Sequence, residues 1–153
     1  MAQPTPNPEQ LAQQLIMSVQ ALEEEIARGQ NNLQMIELQL QRLAETATAV
    51  QELKNHKVGD EIMVNIGSGV HIYVKLTDPK HVVTSVGAGF AAQRTIDEAL
   101  TRFEEQQKQL TDIAQRQQEQ IQNAQARIED YRSQLNQLIQ TTQGQPPKPE
   151  SND

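Results

Sequence analysis

Two heptad repeats, one towards each end of the chain, restrict the folds that this sequence can adopt. In the first repeat, steps of four and three residues alternate without interruption through Leu15, Val19, Leu22, Ile26, Gly29, Leu33, Ile36, Leu40, Leu43, Ala47 and Val50. The second repeat has the same spacing and includes two glutamines: Ile96, Leu100, Phe103, Gln107, Leu110, Ala114, Gln117, Ile121, Ala124, Ile128, Tyr131, Leu135 and Leu138. Such seams are typical of coiled-coil helices, and neither helix can bury its seam alone.

A short segment of alternating apolar residues, Val58 to Arg94, separates the two repeats. The alternation is interrupted by two glycine-containing triplets, Gly67-Ser68-Gly69 and Gly87-Ala88-Gly89. Because glycine readily adopts the positive φ angles of tight turns, the segment predicts two β-hairpins. Two hairpins of this size have open edges that little of their own chain can cover, so they require other copies or other subunits.

The predicted fold class is therefore α+β, a long antiparallel α-helical coiled coil with two central β-hairpins. Asn7 is the predicted cap of the first helix, and Thr95 with Glu98 has the form of a capping box at the start of the second. The predicted segments are a flexible tail at 1–7, a coiled-coil helix at 8–56, the hairpins at 57–94, a second helix at 95–141 and a disordered polar tail at 142–153.

The two seams also predict how the helices face each other. The hairpins bring Val50 close to Leu100, so the simplest partner for each helix is the other one, running antiparallel. In this register Gly29 faces Ile121, and small residues meet large ones in four layers. Volume matching of this kind fixes a register.

At the end of the coiled coil where both termini lie, apolar residues occur beside the seam as well as in it. We term these residues the terminal apolar surface: Leu11, Leu15, Ile16, Met17, Val19, Tyr131, Leu135, Leu138 and Ile139. Exposed single apolar residues are ordinary in proteins. A cluster of them at an unconstrained end is more typical of a binding surface.

Composition excludes several classes of function. The net charge of −7 disfavours binding to nucleic acid, because lysine and arginine supply most of the affinity for phosphates. No apolar stretch approaches the ~20 residues of a membrane span, and the N-terminus does not have the pattern of a secretory signal. The sequence contains no cysteine, which fits a reducing compartment, so a cytoplasmic protein is expected.

Two motifs resemble chemical sites, and neither predicts an enzyme. Gly87 to Ala92 matches a dinucleotide fingerprint, but such a site needs a further parallel strand, so a glycine turn is favoured and no cofactor is expected. The histidines His56, His71 and His81 lack the spacing of a metal site, so no metal is expected either. Any activity must therefore come from binding.

The segments EIMVNIGSGVHIYVKL and DPKHVVTSVGAGFAAQRTIDEAL resemble the centre of α-type subunits of the prefoldin family, archaeal co-chaperones. The resemblance implies a hexamer of two α and four β subunits, in which the hairpins form a β-barrel platform. It also implies ATP-independent capture of unfolded polypeptides at the coiled-coil ends, followed by transfer to a group II chaperonin. We therefore expect the terminal apolar surface to contact clients.

The subunit contacts expected in such a platform are made by the strands and their turns. We term these residues the hairpin surface: Ile62, Val64, Ile66, Gly67, Gly69, Val70, Ile72, Val74, Leu76, Val82, Val83, Val86, Gly87 and Gly89. The alternative is a structural coiled-coil adaptor that binds one folded partner. That alternative shares the fold and predicts no effect on denatured clients.

Overall fold

A computed structural model of the chain describes residues 7–144. The elements in chain order are α1 (Pro8–Glu52), a 3₁₀ turn (Leu53–Asn55), β1 (Glu61–Gly67), β2 (Val70–Lys75), β3 (His81–Gly87), β4 (Phe90–Thr95) and α2 (Ile96–Gln143). This arrangement confirms the predicted α+β fold of two long helices around two hairpins. The predicted tails fall largely outside the described residues.

Both helices begin where local side chains satisfy their free N–H groups. The Glu9 N–H donates to Asn7 Oδ1 at 3.4 Å, as the predicted cap requires. At α2, the Glu98 N–H donates to Thr95 Oγ1 at 3.2 Å, and the Thr95 N–H donates to Glu98 Oε2 at 3.0 Å. The predicted capping box is therefore confirmed.

The helix ends differ from the predicted boundaries by a few residues. Helix α1 ends at Glu52 and tightens into the 3₁₀ turn, whereas the sequence pattern continues the helix to residue 56. Helix α2 continues to Gln143, beyond the predicted end at residue 141. The last turn of a helix often tightens in this way, because i→i+3 bonds satisfy carbonyls that have no partner within the helix.

The two hairpins repeat the same antiparallel register twenty positions apart. Glu61 pairs with Lys75 in the first hairpin, and His81 pairs with Thr95 in the second. Each hairpin also contains one irregularity just before its turn, so that the register shifts at Ile66 and at Val86. The two hairpins therefore share the same strand pairing and the same irregularity before the turn.

Each hairpin turns through two central residues with positive φ, which directly follow a glycine that also has positive φ. These are Ser68 (φ 50°) and Gly69 (φ 77°) in the first hairpin, and Ala88 (φ 50°) and Gly89 (φ 80°) in the second. Two central residues with positive φ define the type I′ turn, whose twist matches that of the flanking strands. The predicted glycine turns are confirmed at both places.

Within the described residues, 7–35 and 114–144 form one compact unit of the chain. Its core contains Leu22, Ala124 and Ile128, and half-buried apolar side chains pack around them: Val19, Ile26 and Tyr131. In the predicted register, Val19 faces Tyr131, Leu22 faces Ile128 and Ile26 faces Ala124. These three consecutive pairs pack together in this unit, which confirms the register there.

Residues 36–113 form the second unit, which contains both hairpins. The hairpins are separate two-stranded sheets, β1 with β2 and β3 with β4. Lys54 Nζ lies 2.6 Å from Asp97 Oδ1 and so links the 3₁₀ turn to the first turn of α2. Within residues 7–144, no helix is long and apolar enough to cross a bilayer.

Candidate functional site

The terminal apolar surface contains side chains of very different accessibility. Met17, Ile139 and Ile16 are the most exposed of its members, with 68%, 52% and 47% of their surface accessible. Leu15 is 7% exposed and belongs to the buried seam. The remaining members are half-buried: Leu11, Val19, Tyr131, Leu135 and Leu138. The surface therefore consists of exposed side chains supported by seam residues.

The heptad positions explain which side chains are exposed. Ile16 directly follows the seam residue Leu15, and Ile139 directly follows the seam residue Leu138. Side chains next to the seam flank the helix interface and remain accessible to a partner. Met17 lies one position further round α1, where a coiled-coil helix normally presents polar residues to water.

One ion pair joins the two helices close to this end, and a second polar contact lies within α2. Arg132 Nη2 lies 2.9 Å from Glu23 Oε1 on the other helix. The Tyr131 ring packs against the seam, and Arg127 donates a hydrogen bond to its hydroxyl at 3.2 Å. The exposed apolar side chains are thus presented by a paired and capped scaffold rather than by a loop.

The hairpin surface includes both half-buried and exposed apolar side chains. Ile62, Val64, Val74, Leu76 and Val82 are half-buried. The other apolar members are exposed: Ile66, Val70, Ile72, Val83 and Val86. The four glycines, Gly67, Gly69, Gly87 and Gly89, lie at the turns with positive φ. Large apolar side chains on a two-stranded sheet remain open to solvent unless another chain covers them.

Three further exposed apolar residues lie on the hairpins but were not among the predicted contact residues. Met63 and Tyr73 are cross-strand partners on the first hairpin, and Phe90 follows the turn of the second. Met63 and Tyr73 occupy the strand positions between the alternating apolar residues, so that alternation did not select them. Their size and exposure show that both faces of the hairpins carry large apolar side chains.

An open cleft separates the first hairpin from the end of α1. It has a volume of about 450 Å³. Its apolar lining comes from both elements: Ala49, Val50, Leu53, Ile62 and Val64. Protein interiors seldom contain gaps of this size. The inward face of β1 is therefore only partly covered by its own chain.

The second glycine motif closes a hairpin and is followed by strand β4. A dinucleotide site needs a helix directly after its glycines, with the pyrophosphate at the helix N-terminus, so the strand rules out that interpretation. The predicted glycine turn is confirmed.

The histidines lie in local turns or next to them. His56 Nδ1 is 3.3 Å from Asp60 Oδ2, and His81 Nδ1 is 2.8 Å from Asp78 Oδ2. His71 Nδ1 lies 3.0 Å from the Gly69 carbonyl oxygen. Within residues 7–144, no group of three or more acidic or histidine side chains is arranged to hold a metal ion.

Hydrogen bonds at these turns lower the pKa of two carboxylates. The Lys57 N–H donates to Asp60 at 2.8 Å and, together with His56, holds the Asp60 pKa below its usual value. The Lys80 N–H and then His81 lower the Asp78 pKa in the same way. Both carboxylates are therefore structural anions that fix the turns leading into β1 and β3.

Comparison with known proteins places this architecture in a family. A family model described as "Prefoldin subunit" matches residues 22–141, which include most of both helices and all four strands. The chain belongs to the prefoldin family. Because that family consists of subunits, this chain is a component of an assembly with other prefoldin subunits.

Individual prefoldin relatives cover most of the chain. Prefoldin subunit alpha 1 of Thermococcus kodakarensis is 31% identical over 109 residues, which are 71% of this chain and 72% of the relative. Prefoldin subunit alpha of Nitrosopumilus maritimus is 28% identical over 90% of this chain and 95% of its own length. The predicted resemblance to prefoldin α subunits is thus confirmed.

A solved prefoldin structure shares the fold. The cryo-EM structure of filamentous PFD from Methanocaldococcus jannaschii aligns with a TM-score of 0.69, at 24% identity. The match covers 77% of this chain and 98% of the other. Prefoldin relatives are chaperone subunits rather than known enzymes, so the chain is a prefoldin-type chaperone subunit.

Proposed function

We propose that this prefoldin subunit captures non-native polypeptides through the terminal apolar surface, without nucleotide. The observation that carries the proposal is the exposure of Ile16, Met17 and Ile139 on paired helices. Unfolded chains expose apolar side chains that folded proteins bury, and an exposed apolar surface gains free energy by covering them. Ile16, Met17 and Ile139 make the first contacts, and the half-buried members support them.

The expected affinity of one coiled-coil end is low, which suits a chaperone that must release its client. An apolar patch of about 300 Å² contributes at most about 7 kcal/mol, before the costs of association are subtracted. Several ends that contact one client raise the overall affinity through effective concentration. Each contact remains reversible, so a client can pass to a group II chaperonin without ATP hydrolysis.

The hairpin surface provides the means of bringing several ends together. In this proposal the hairpins form a β-barrel platform from this subunit, a second α subunit and four β subunits in the cytoplasm. Support comes from the open strand edges, from the exposed partners Met63 and Tyr73, and from the cleft beneath β1. Burying these groups against other chains removes unpaired strand edges from solvent.

The proposal is tested by removing the exposed apolar side chains while leaving the seam intact. A triple variant, Ile16→Ser, Met17→Ser and Ile139→Ser, is assembled with a prefoldin β subunit whose own ends are truncated. The readout is suppression of aggregation of a chemically denatured client, with the mass of the complex as the assembly control. The matched control is Met35→Ser with Leu38→Ser, because both residues are exposed outside the terminal apolar surface.

We expect the triple variant to lose most of its protection at an unchanged complex mass. The control variant should protect as well as the unmodified chain. Equal protection by the triple variant and the control would contradict the proposal. Binding to one folded protein without any effect on the denatured client would favour the adaptor alternative.

A further inference from the structure

Met17 is the member of the terminal apolar surface whose side chain contains sulfur. Its side chain is the most accessible in that surface, and it lies next to the exposed Ile16. The whole sequence contains four methionines, no cysteine and no tryptophan. Two-electron oxidants such as peroxides react with sulfur, so in this chain they attack thioethers.

We propose that Met17 is a redox modification site, and that its oxidation to the sulfoxide by a peroxide weakens client capture. The inference rests on the proposed function. In the reaction a sulfur lone pair attacks one peroxide oxygen, an S–O bond forms and the O–O bond breaks. The departing hydroxide takes up the proton of the oxygen now bound to sulfur and leaves as water, so the thioether is oxidised by two electrons to the sulfoxide and the peroxide is reduced.

Oxidation changes the property on which the terminal apolar surface depends. A thioether is flexible and apolar and adapts to many client side chains, whereas a sulfoxide is polar and must keep its hydration. Losing the burial of one methionine side chain weakens binding at one end by about tenfold. Methionine sulfoxide reductases reverse the modification, so capture is restored when the oxidant is removed.

The position of Met17 distinguishes it from the other exposed methionines of residues 7–144. Met35 is 61% exposed but lies in the middle of α1, outside the terminal apolar surface. Met63 is 60% exposed on β1, where it pairs with Tyr73 in the part of the chain assigned to assembly. Oxidation of Met35 is therefore expected to leave client binding unchanged, which makes it an internal control.

The test compares variants of the full chain, each assembled with the same end-truncated β subunit. The probe is a fluorescently labelled, permanently unfolded protein, reduced and carboxymethylated α-lactalbumin, and its affinity is measured by anisotropy. The variants are the unmodified chain, Met17→Leu, Met17→Gln and Met35→Leu, each before and after hydrogen peroxide. Peptide mass spectrometry measures the added oxygen at each methionine, and circular dichroism checks the helices.

We expect peroxide to reduce the affinity of the unmodified chain and of Met17→Leu by very different factors. The unmodified chain and Met35→Leu should lose about tenfold, whereas peroxide should not change the affinity of Met17→Leu from the value measured for that variant before treatment. Met17→Gln should bind weakly without any oxidant, and a sulfoxide reductase should restore the oxidised chain. Unchanged affinity of the chain oxidised at Met17, or an equal loss in Met17→Leu, would overturn the inference. If the untreated chain does not bind the probe, the proposed function itself fails.

Discussion

Gly29 lies directly against Ile121, so closely that a Cβ atom at position 29 would come within 2.9 Å of Ile121 Cγ1. The same Cβ would lie 2.8 Å from Gln117 Nε2. Real Cβ atoms do not approach other heavy atoms so closely. The glycine therefore occupies a seam position because the larger residue facing it fills the layer.

This contact predicts that Gly29→Ala destabilises the coiled coil. Alanine in an open helix position stabilises by about 1 kcal/mol relative to glycine. Here the added methyl group overpacks the layer, which typically costs about 1 to 3 kcal/mol. We expect a net loss of about 1 kcal/mol in the free energy of unfolding, measured by thermal or urea denaturation.

A second substitution tests the reason for that loss. Ile121→Ala removes the two Ile121 carbon atoms that would lie within 3.1 Å of the added methyl group. The double variant with Gly29→Ala should therefore be more stable than the sum of the single effects predicts. Additive effects of the two substitutions would show that Gly29 is not dictated by its contact with Ile121.

The second hairpin offers a stabilising substitution at Ala88. This residue has φ 50°, a left-handed conformation that costs about 1 kcal/mol for a residue other than glycine or asparagine. Ala88→Asn is expected to raise the melting temperature of the assembled complex, because asparagine tolerates this conformation.

The matched control for Ala88→Asn is Gly89→Ala, at φ 80° in the same turn. No atom lies within 4 Å of a Cβ built at Gly89, so the loss expected there comes from backbone conformation alone. A lower melting temperature for Ala88→Asn would contradict the observed turn geometry.

The loss of folding stability at low pH should depend on Asp60 and Asp78. Both have a folded-state pKa below the usual value of 3.8, chiefly because backbone N–H groups donate to the ionised carboxylates. A lowered folded-state pKa gives stability that is fully present above the usual pKa and is lost as the pH falls through the folded-state value.

Asp60→Asn together with Asp78→Asn should therefore flatten the dependence of stability on pH below about 4. The measurement is the denaturation midpoint from pH 2 to 7 for both chains. Asp130→Asn provides a control carboxylate on the exposed surface of α2. If the double variant loses stability below about pH 4 as steeply as the unmodified chain does, these two turns are not the cause of that loss.

Charged residues within the hairpin surface should prevent assembly before they affect the helices. Ile66→Glu places a charge on an exposed apolar position beside the first turn, and Val74→Glu places one on a half-buried strand position. Burying an unpaired carboxylate between subunits is strongly unfavourable. Native mass spectrometry with the β subunit should show a loss of the complex.

The control for these two variants is Thr77→Glu, an exposed residue in the loop after β2. It should assemble normally, and helical content should be the same in all three chains. A normal complex with Val74→Glu would contradict the assignment of this strand to subunit contacts.

Local sequence chemistry predicts most of the fold. The Asn7 cap, the Thr95 and Glu98 capping box and the two glycine turns depend on residues within a few positions of one another. The facing of Gly29 and Ile121 was predictable over a long separation, because side-chain volumes along two seams must match layer by layer.

Other features depend on interactions that periodicity does not describe. The alternating apolar pattern passes over Met63 and Tyr73, although both are large side chains that the structure leaves exposed. The end of α1 at Glu52 is set by local competition between α and 3₁₀ hydrogen bonds.

Site-specific photo-crosslinking in the assembled complex is the most direct measurement of the central claim. A photoreactive residue replaces Ile139, Leu38 or Tyr73, one position at a time, and a denatured client is added before illumination. We predict client crosslinks from position 139, crosslinks to neighbouring subunits from position 73 and neither from position 38. Client crosslinks that concentrate at position 73 and are absent at position 139 would contradict capture by the terminal apolar surface.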